Sequence, residues 1–303
     1  MSDLDAVLDA RLNRLSDGQR TLLRVLAVAD RPLPIVDAQA VCQIAGTVVS
    51  EGGGLDPASR LMIVRDNTFE VAHRLLVGRI RARMPHSAEA ELHGMVARQL
   101  AAAQRAGRLR LGCGETAQHW QEAGKAGRAA AAYLRDAEQS QREGAHSATI
   151  ALLDAAEASV APAVLPASRR AVLAATRGVA RWGQGDVAGA AVDAKRAVAA
   201  AETGLAAAAR SPFSGHLLRH TAMATGGNRR MPPRIRLALL RSAMLRSELG
   251  MFSGDLRDIA SGIVTAARLD HDADVQAAAR GRGLAFIGLT AGLLGAERVA
   301  GAV

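Results

Sequence analysis

Histidine is the residue type in this chain that is most suited to metal binding or catalysis, because imidazole binds metals and transfers protons near neutral pH. None of the histidines is paired with another His or a Cys at a spacing that builds a zinc site. His216 and His220 lie four residues apart and would share a helix face, but no carboxylate or thiolate accompanies them. We therefore predict a solvated pair and no metal site. The eight histidines are His73, His86, His93, His119, His146, His216, His220 and His271.

Known motifs for calcium binding, phosphate binding and catalysis are incomplete or missing in this sequence. The acidic run at 270–274 (Asp-His-Asp-Ala-Asp) has neither the glycine nor the distal glutamate of a calcium loop, so a helix start is its predicted role. Gly124-Lys125 is followed by Ala126 and lacks the upstream glycine of a phosphate loop. No nucleophile elbow, dinucleotide fingerprint or catalytic cysteine context is present. We expect no enzymatic activity and no cofactor.

The net charge of +9 is carried almost entirely by arginine and could attract nucleic acid or acidic partners. No extended basic run and no interleaving with aromatic residues accompanies it, which favours a solvated surface. Arg79 and Arg83 are four residues apart and would share a helix face, with Arg81 pointing elsewhere. We predict that these arginines form a solvated edge and no anion site.

The cysteines and the apolar segments bear on localisation. Cys42 and Cys113 lie far apart, and the N-terminus lacks the pattern of a signal peptide, so reduced structural cysteines in a cytoplasmic protein are expected. The apolar segment at 284–296 is shorter than the roughly 20 residues that span a bilayer. We therefore expect no membrane segment.

The composition and the apolar spacing indicate which elements carry these residues. Hydrophobic residues make up 49% of the chain and aromatic residues only 2%, so a core of Ala, Leu and Val in closely packed helices is expected. Apolar residues recur every three or four positions in the first part, followed by two β-favouring stretches around a turn. This order predicts a winged-helix unit with helices at 4–15, 19–29 and 36–44 and a hairpin at 61–72.

The third of these helices would enter the major groove if the winged helix bound DNA. Its side chains include Val36, Asp37, Gln39 and Val41, with no Arg or Lys to neutralise phosphates. We therefore predict a structural winged helix and no DNA contact by this chain alone. Two more helices are expected at 73–83 and 88–106, the second capped by Ser87, before a linker at 105–114.

Beyond this linker, glycines separate consecutive helices, which predicts an α-solenoid of antiparallel helix pairs. The clearest pair turns at Gly185, where Gly178 would leave room for a neighbouring helix. Small residues recur on the other arm at Ala190, Ala194 and Ala197. Other turns are predicted at Gly124, Gly144 and Gly250. The predicted domains are residues 1–110, winged-helix-like with trailing helices, and residues 111–303, the solenoid.

The spacing of Gly178, Gly185 and Ala190 recurs at Gly288, Gly295 and Ala300, seven residues and then five. A helix pair is therefore expected to begin just before the chain stops. A terminal repeat ordinarily carries a polar outer face, and the final ERVAGAV is short and apolar. We expect a solenoid that is truncated at its C-terminus or docks its end on another molecule.

The two-helix units resemble tetratricopeptide repeats, which place Gly, Ala and aromatic residues on paired helices. The first half, from LNRLSDGQRTLLRVL through FEVAHRLLVGRI to AELHGMVARQL, resembles the region after the nucleotide-binding domain of STAND-type bacterial regulators, including large LuxR-type transcriptional activators. Phe69, His73, Leu92 and His93 stand where that family has matching aromatic-His and Leu-His steps. The resemblance covers about residues 10–160 and lacks both the phosphate loop and the DNA-binding domain.

The resemblance implies a non-enzymatic sensor or interaction module of a signalling or transcriptional regulator, which binds a protein partner or a small effector on its helical array. It also implies an ATPase domain that is supplied elsewhere. The alternative is a nucleic-acid-binding protein that uses the winged helix and the basic surface. Candidate partner-binding anchors are the large rings that could fill a groove, although such rings are more often core: Trp120, Tyr133, Trp182 and Phe252.

Overall fold

The computed structural model of the chain describes residues 9–48, 61–161, 165–209 and 233–253. The chain divides into two compact units, Met1–Ala132 and Tyr133–Val303. In the described residues the protein is mainly helical with one small sheet, which confirms the predicted mainly α class. No helix among those residues has both the length and the apolar character needed to cross a membrane.

The first unit consists of helices packed around a small antiparallel sheet. Residues 9–13 are helical and precede the first complete helix. The elements that follow are α1 (Asp17–Ala29), β1 (Leu33–Pro34), α2 (Ile35–Ile44), β2 (Met62–Arg65), β3 (Thr68–Val71), α3 (Arg74–Arg81), α4 (His86–Arg105) and α5 (Glu115–Glu122).

Helix α1 begins where its sequence provides a cap. The Ser16 hydroxyl accepts a hydrogen bond from the Gln19 amide, and the Gln19 side chain accepts one from the Ser16 amide. This reciprocal pair satisfies two donors that the first turn would otherwise leave open. The helix buries its apolar stripe, including Leu22, Leu23 and Leu26, in the core of the unit.

The predicted hairpin is confirmed. Strands β2 and β3 pair antiparallel, with Met62 opposite Val71 and Arg65 opposite Thr68. Asp66 and Asn67 form the turn with positive φ angles of 47° and 59°, and these residue types tolerate that conformation. The short strand β1 pairs with the other side of β3, which gives the order β1-β3-β2.

The described residues of the second unit are almost entirely helical. Helix α6 (Ala126–Arg142) crosses the boundary between the units and is followed by α7 (His146–Ala158), α8 (Ala167–Gly183), α9 (Val187–Ala209) and α10 (Pro233–Ser253). The predicted turn at Gly185 is confirmed, since this residue adopts a φ of +82° between α8 and α9. Gly124 and Gly144 form equivalent turns with φ angles of +67° and +75°.

The close packing predicted for the α8–α9 pair is also confirmed. Ala190, Ala194 and Ala197 are fully buried. A Cβ atom on Gly178 would lie 2.9 Å from Leu245 Cδ2 and 3.4 Å from the Ala190 carbonyl oxygen. Gly178 therefore lies where helices α8, α9 and α10 approach one another, and a side chain there would have to displace Leu245 and press on the Ala190 backbone.

Two local predictions are wrong. Gly250 forms no turn, because α10 continues through it to Ser253 and its φ is not positive, unlike that of the three turn glycines. Ser87 does not cap α4, since the helix begins at His86 with Pro85 in the cap position. Proline before a helix presets an extended backbone and leads into the first turn without a side-chain cap.

The predicted domain boundary at 110/111 stays a prediction. Helix α5, assigned by the sequence to the second domain, packs on α4 and lies within the first compact unit. The predicted linker is observed as a non-helical connection between α4 and α5. The repeated spacing at Gly288, Gly295 and Ala300 lies outside the described residues, and so does the apolar segment at 284–296.

Candidate functional site

The strongest candidate site lies where helices α4 and α5 pack against each other. Gly94 on α4 faces α5 so closely that an added Cβ would lie 3.6 Å from Ala123 Cβ and 3.9 Å from Trp120 Cζ3. Trp120 is 7% exposed and fills this contact. Because glycine presents no side chain there, the two helices leave an open groove above the indole.

This groove encloses a cavity of about 400 Å³. It is lined by one acidic and three cationic side chains around the indole and the glycine, and we call it the basic groove. The residues that define it are Glu91, Gly94, Arg98, Trp120, Lys125 and Arg128.

The cations reach the basic groove from three elements. Arg98 lies on α4, Lys125 occupies the turn after α5, and Arg128 lies in the first turn of α6. The Arg128 guanidinium lies over the Trp120 ring, with Cζ 4.7 Å from the ring centroid. This distance is within the range of a cation–π contact, which positions Arg128 without neutralising its charge.

Carboxylates neutralise other arginines of the first unit. Arg31, Arg81 and Arg83 pair with Glu115, Glu89 and Asp9 at 2.7, 2.6 and 2.7 Å. Arg108 pairs with the buried Asp37 at 2.8 Å. Arg81 and Arg83 make these pairs while their side chains stay 34% and 30% exposed, so the predicted solvated edge stays a prediction.

The cations of the basic groove have no such partners. Arg98 donates only to the Gly94 carbonyl of its own helix, at 3.3 Å. Within the described part of the chain, no carboxylate lies within ion-pair distance of Arg98, Lys125 or Arg128. The basic groove therefore presents uncompensated positive charge beside an apolar ring.

A buried histidine pair lies at the same helix contact. The Nδ1 atoms of His93 and His119 are 2.8 Å apart, so one Nδ1–H donates to the other nitrogen. Both residues are buried, at 3% and 7% exposed. Burial lowers the pKa of His93, assisted by Arg81, and burial with the neighbouring His93 lowers the pKa of His119 to about 4. The pair is therefore neutral at physiological pH.

The part of the chain that the structure describes offers this histidine pair no third ligand for a metal. Among the described residues, no group of three or more His, Cys, Asp or Glu side chains is arranged to hold a metal ion. The predicted solvated pair His216 and His220 and the acidic run at 270–274 lie outside those residues.

The second unit contains a different polar cluster. Arg177 donates to Asp193 at 3.1 Å and to Glu157 at 2.6 Å, and Arg181 pairs with Asp193 at 3.0 Å. Burial acts to lower the pKa of Arg177, but the hydrogen bonds to Glu157 and Asp193 outweigh it and raise that pKa above its ordinary value. The cluster joins α7, α8 and α9 and holds its charges in mutual pairs, so it fits a structural role.

The candidate anchors have separate surroundings. Trp120 lines the basic groove. Tyr133 is buried in the second unit. Trp182 is half-buried and packs against the cluster formed by Ala190, Ala194 and two leucines of α10. Phe252 belongs to α10, and its side chain lies outside the described residues.

Sequence reasoning missed Arg98, Arg128 and Glu91, and it considered Lys125 only as part of a failed phosphate loop. A signal was present for Arg128. Trp120 and Arg128 stand four residues before and four residues after the turn glycine Gly124, and an antiparallel pair brings such positions side by side. Arg98 lies on another helix, so no local spacing links it to the other two cations.

Comparisons of the chain with protein-family models, with curated proteins and with solved structures give no match. The geometry of the chain itself therefore carries the functional argument.

Proposed function

We propose that this chain is a non-enzymatic interaction module of a signalling or transcriptional regulator, and that it binds a protein partner or a small effector. In this proposal a winged-helix-like unit leads into a tetratricopeptide-like helical array, as in the middle of STAND-type and large LuxR-type regulators. An ATPase domain supplied elsewhere would provide the nucleotide-dependent step.

The recurrence of one helix–glycine–helix unit supports the tetratricopeptide-like part. Around the turn glycines Gly124, Gly144 and Gly185, equivalent positions are buried in each pair. Burial at fixed offsets from a turn is typical of stacked repeats, in which each pair completes the core of its neighbour. The buried positions are Ala117, Ala137 and Gly178 seven residues before the turn, Ala129, Thr149 and Ala190 five after it, and Tyr133, Leu153 and Ala194 nine after it.

The order of elements in the first unit supports the winged-helix-like part. Helices α1 and α2 flank a short strand, and a hairpin follows that completes a sheet of order β1-β3-β2. The helix at the recognition position buries Asp37 and Val41 in the unit. This helix thus serves the core, which is consistent with a bracing role in the module.

The basic groove carries the proposal that the module binds a ligand. Its cations and its exposed cavity have no evident use in folding, since the buried His93–His119 hydrogen bond and the close approach of Gly94 to Ala123 already join α4 and α5. A concave site with convergent polar groups is the usual form of a ligand site.

The proposal is tested by affinity chromatography on the immobilised chain at micromolar concentration, with an extract of the source organism and a helical protein of equal charge as the control column. We expect a discrete protein or small molecule that is retained and then displaced by free chain. A folded, monodisperse chain that retains nothing beyond the control column contradicts an interaction module.

The alternative of nucleic-acid binding has weaker support. Helix α2 contains no Arg or Lys, and it exposes Val36 by 54% and Ile44 by 49%. A helix without Arg or Lys cannot neutralise phosphates beside a major groove. The basic groove lies on α4 to α6 and encloses a volume suited to a small molecule.

A further inference from the structure

We infer that the basic groove binds a small organic dianion, a phosphate monoester or a dicarboxylate, between Arg98 on one wall and Lys125 and Arg128 on the other. This inference rests on the proposed function and specifies the chemical class of the effector. It follows from the charge balance, the missing counter-ions and the dimensions of the basic groove.

The charge balance selects a dianion. Arg98, Lys125 and Arg128 line the cavity together with one acid, Glu91. Two positive charges are left without a counter-charge in the lining, and a ligand with two negative charges neutralises them. Hydrogen bonds between guanidinium or ammonium groups and carboxylate or phosphate oxygens are among the stronger ones in proteins.

The arrangement of the cations favours one bound ligand over diffuse attraction. Arg98 lies on one wall, on α4, whereas Lys125 and Arg128 lie on the other wall, at the turn and the start of α6. An anion between the walls contacts cations from both sides. The Arg128 guanidinium is held above Trp120 at 4.7 Å. Because this side chain is already ordered, binding a ligand costs less conformational entropy.

The size and lining of the cavity select a small molecule with an apolar part. A volume of about 400 Å³ lies within the range of small-molecule sites, about 300 to 1,000 Å³. Trp120 forms the base, with Gly94 and Ala123 beside it. An organic group of the ligand would lie beside Ala90, Gly94 and Ala123 while its charged groups reach the three cations.

Isothermal titration calorimetry of the full chain tests this inference with phenyl phosphate and phthalate as dianions and benzamide as a neutral analogue. We expect at least one dianion to bind with one-to-one stoichiometry at millimolar concentration or below, and benzamide to bind at least tenfold more weakly. Binding of phenyl phosphate alone would identify a phosphate ligand, and binding of phthalate alone would identify a dicarboxylate.

Charge variants separate the basic groove from the general positive charge of the protein. The triple variant R98Q/K125Q/R128Q should lose affinity for the dianion about tenfold or more, as expected for the loss of charged hydrogen bonds. The control R11Q/R14Q/R24Q removes three exposed cations outside the groove and should bind within about twofold of the parent. Equal losses in both variants would overturn the inference.

Two single variants test the site in opposite directions. Glu91→Gln removes the one acid of the lining and should raise the affinity for the dianion. Gly94→Ala places a methyl group at ordinary contact distance, 3.6 Å from Ala123 Cβ, so the fold is retained while the floor of the groove rises. This variant should bind the dianion more weakly, with a circular dichroism spectrum like that of the parent.

Failure of this inference is distinguishable from failure of the proposed function. In one outcome the chain retains a partner on the affinity column and yet binds neither dianion at about 10 mM in calorimetry, a concentration that would detect even weak binding. This result overturns the dianion site and leaves the proposed interaction module unaffected. A chain that binds neither dianion and retains no partner overturns both.

Discussion

The close approach of two helices shifts the pKa values of buried side chains in this protein, as the pair His93–His119 shows. Their Nδ1 atoms share one hydrogen at 2.8 Å, so the contact requires at least one neutral ring and is lost when both rings carry a proton on Nδ1. The charged groups that act on the pair are Arg81, Glu89 and Glu122 on His93 and Glu115, Arg81 and Arg31 on His119. Burial outweighs the acids and lowers both pKa values.

The stability of the chain should therefore fall in mild acid. The pKa of His119 is lowered from 6.5 to about 4, so the folded state resists a proton that the unfolded chain accepts. Its contribution is complete above about pH 6.5 and is lost as the pH falls toward 4, by up to about 3 kcal/mol. Urea unfolding between pH 7.5 and 4 measures this dependence.

His119→Gln removes the titrating ring and should flatten the fall in unfolding free energy between pH 6.5 and 4. The matched control is His86→Gln, because His86 is exposed and should leave the pH dependence as in the parent. A slope that persists unchanged in His119→Gln would assign the acid lability to other groups.

Gly178 lies in a helix contact that leaves little room for a side chain. A methyl group there would meet Leu245 Cδ2 at 2.9 Å, with the Ala190 oxygen and Asp193 Cβ both at 3.4 Å. Gly178→Ala should destabilise the chain by about 1 to 3 kcal/mol, as overpacking of a closed contact does. Urea unfolding monitored by circular dichroism gives the change in unfolding free energy.

The control for this variant is Gly78→Ala. Gly78 lies within α3, and an added Cβ would meet no atom within 4 Å. Since alanine favours helix over glycine by about 0.5 to 1 kcal/mol, this variant should be neutral or slightly stabilising. A smaller loss from Gly178→Ala than from Gly78→Ala would refute the close helix contact.

At the scale of elements, the charged cluster of the second unit determines how three helices are joined. Asp193 on α9 is fully buried and accepts from Arg177 and Arg181, both on α8. Arg177 also reaches Asp154 and Glu157 on α7. A buried pair of this kind gives little net stability, but loss of one partner leaves an uncompensated charge among packed helices.

Asp193→Asn should therefore cost about 3 to 5 kcal/mol of unfolding free energy, because Arg177 and Arg181 both lose the buried carboxylate that they share. Glu157→Gln is the comparison, since the Glu157 side chain is 49% exposed and exposed ion pairs contribute about 0 to 1 kcal/mol. Chemical denaturation of the two variants measures both changes. Equal and small losses would show that the cluster does not hold the helices in place.

At the scale of the whole molecule, the net charge of +9 should give weak and nonspecific attraction to polyanions. The exposed face of α2 has no cation, so no sequence-specific groove contact is expected. We expect fluorescence anisotropy with random duplex DNA to show binding at low salt that disappears near physiological salt. Tight binding at physiological salt that Gln43→Ala on α2 abolishes would establish a DNA-reading helix.

The local elements of the fold could be predicted from the sequence, whereas the basic groove could not. The hairpin and the turn at Gly185 follow from local residue types, and both were predicted correctly. Gly250 was misjudged because a glycine signals a turn only where the backbone needs positive φ, and helical packing can override that signal. Arg98 of the basic groove was missed because its partners lie on other helices.

The sequence by itself determined the helical class, the glycine turns and the small residues at the α8–α9 contact, since these depend on local propensity and periodic spacing. The tertiary structure alone decided which charges are neutralised. It pairs Arg108 with Asp37 and Arg177 with Asp193, and it brings Arg98, Lys125 and Arg128 together around Trp120 with one acid, Glu91, in the same lining. Electrostatic interactions act across space, so only the packing of distant segments determines where the unbalanced charge of this protein lies.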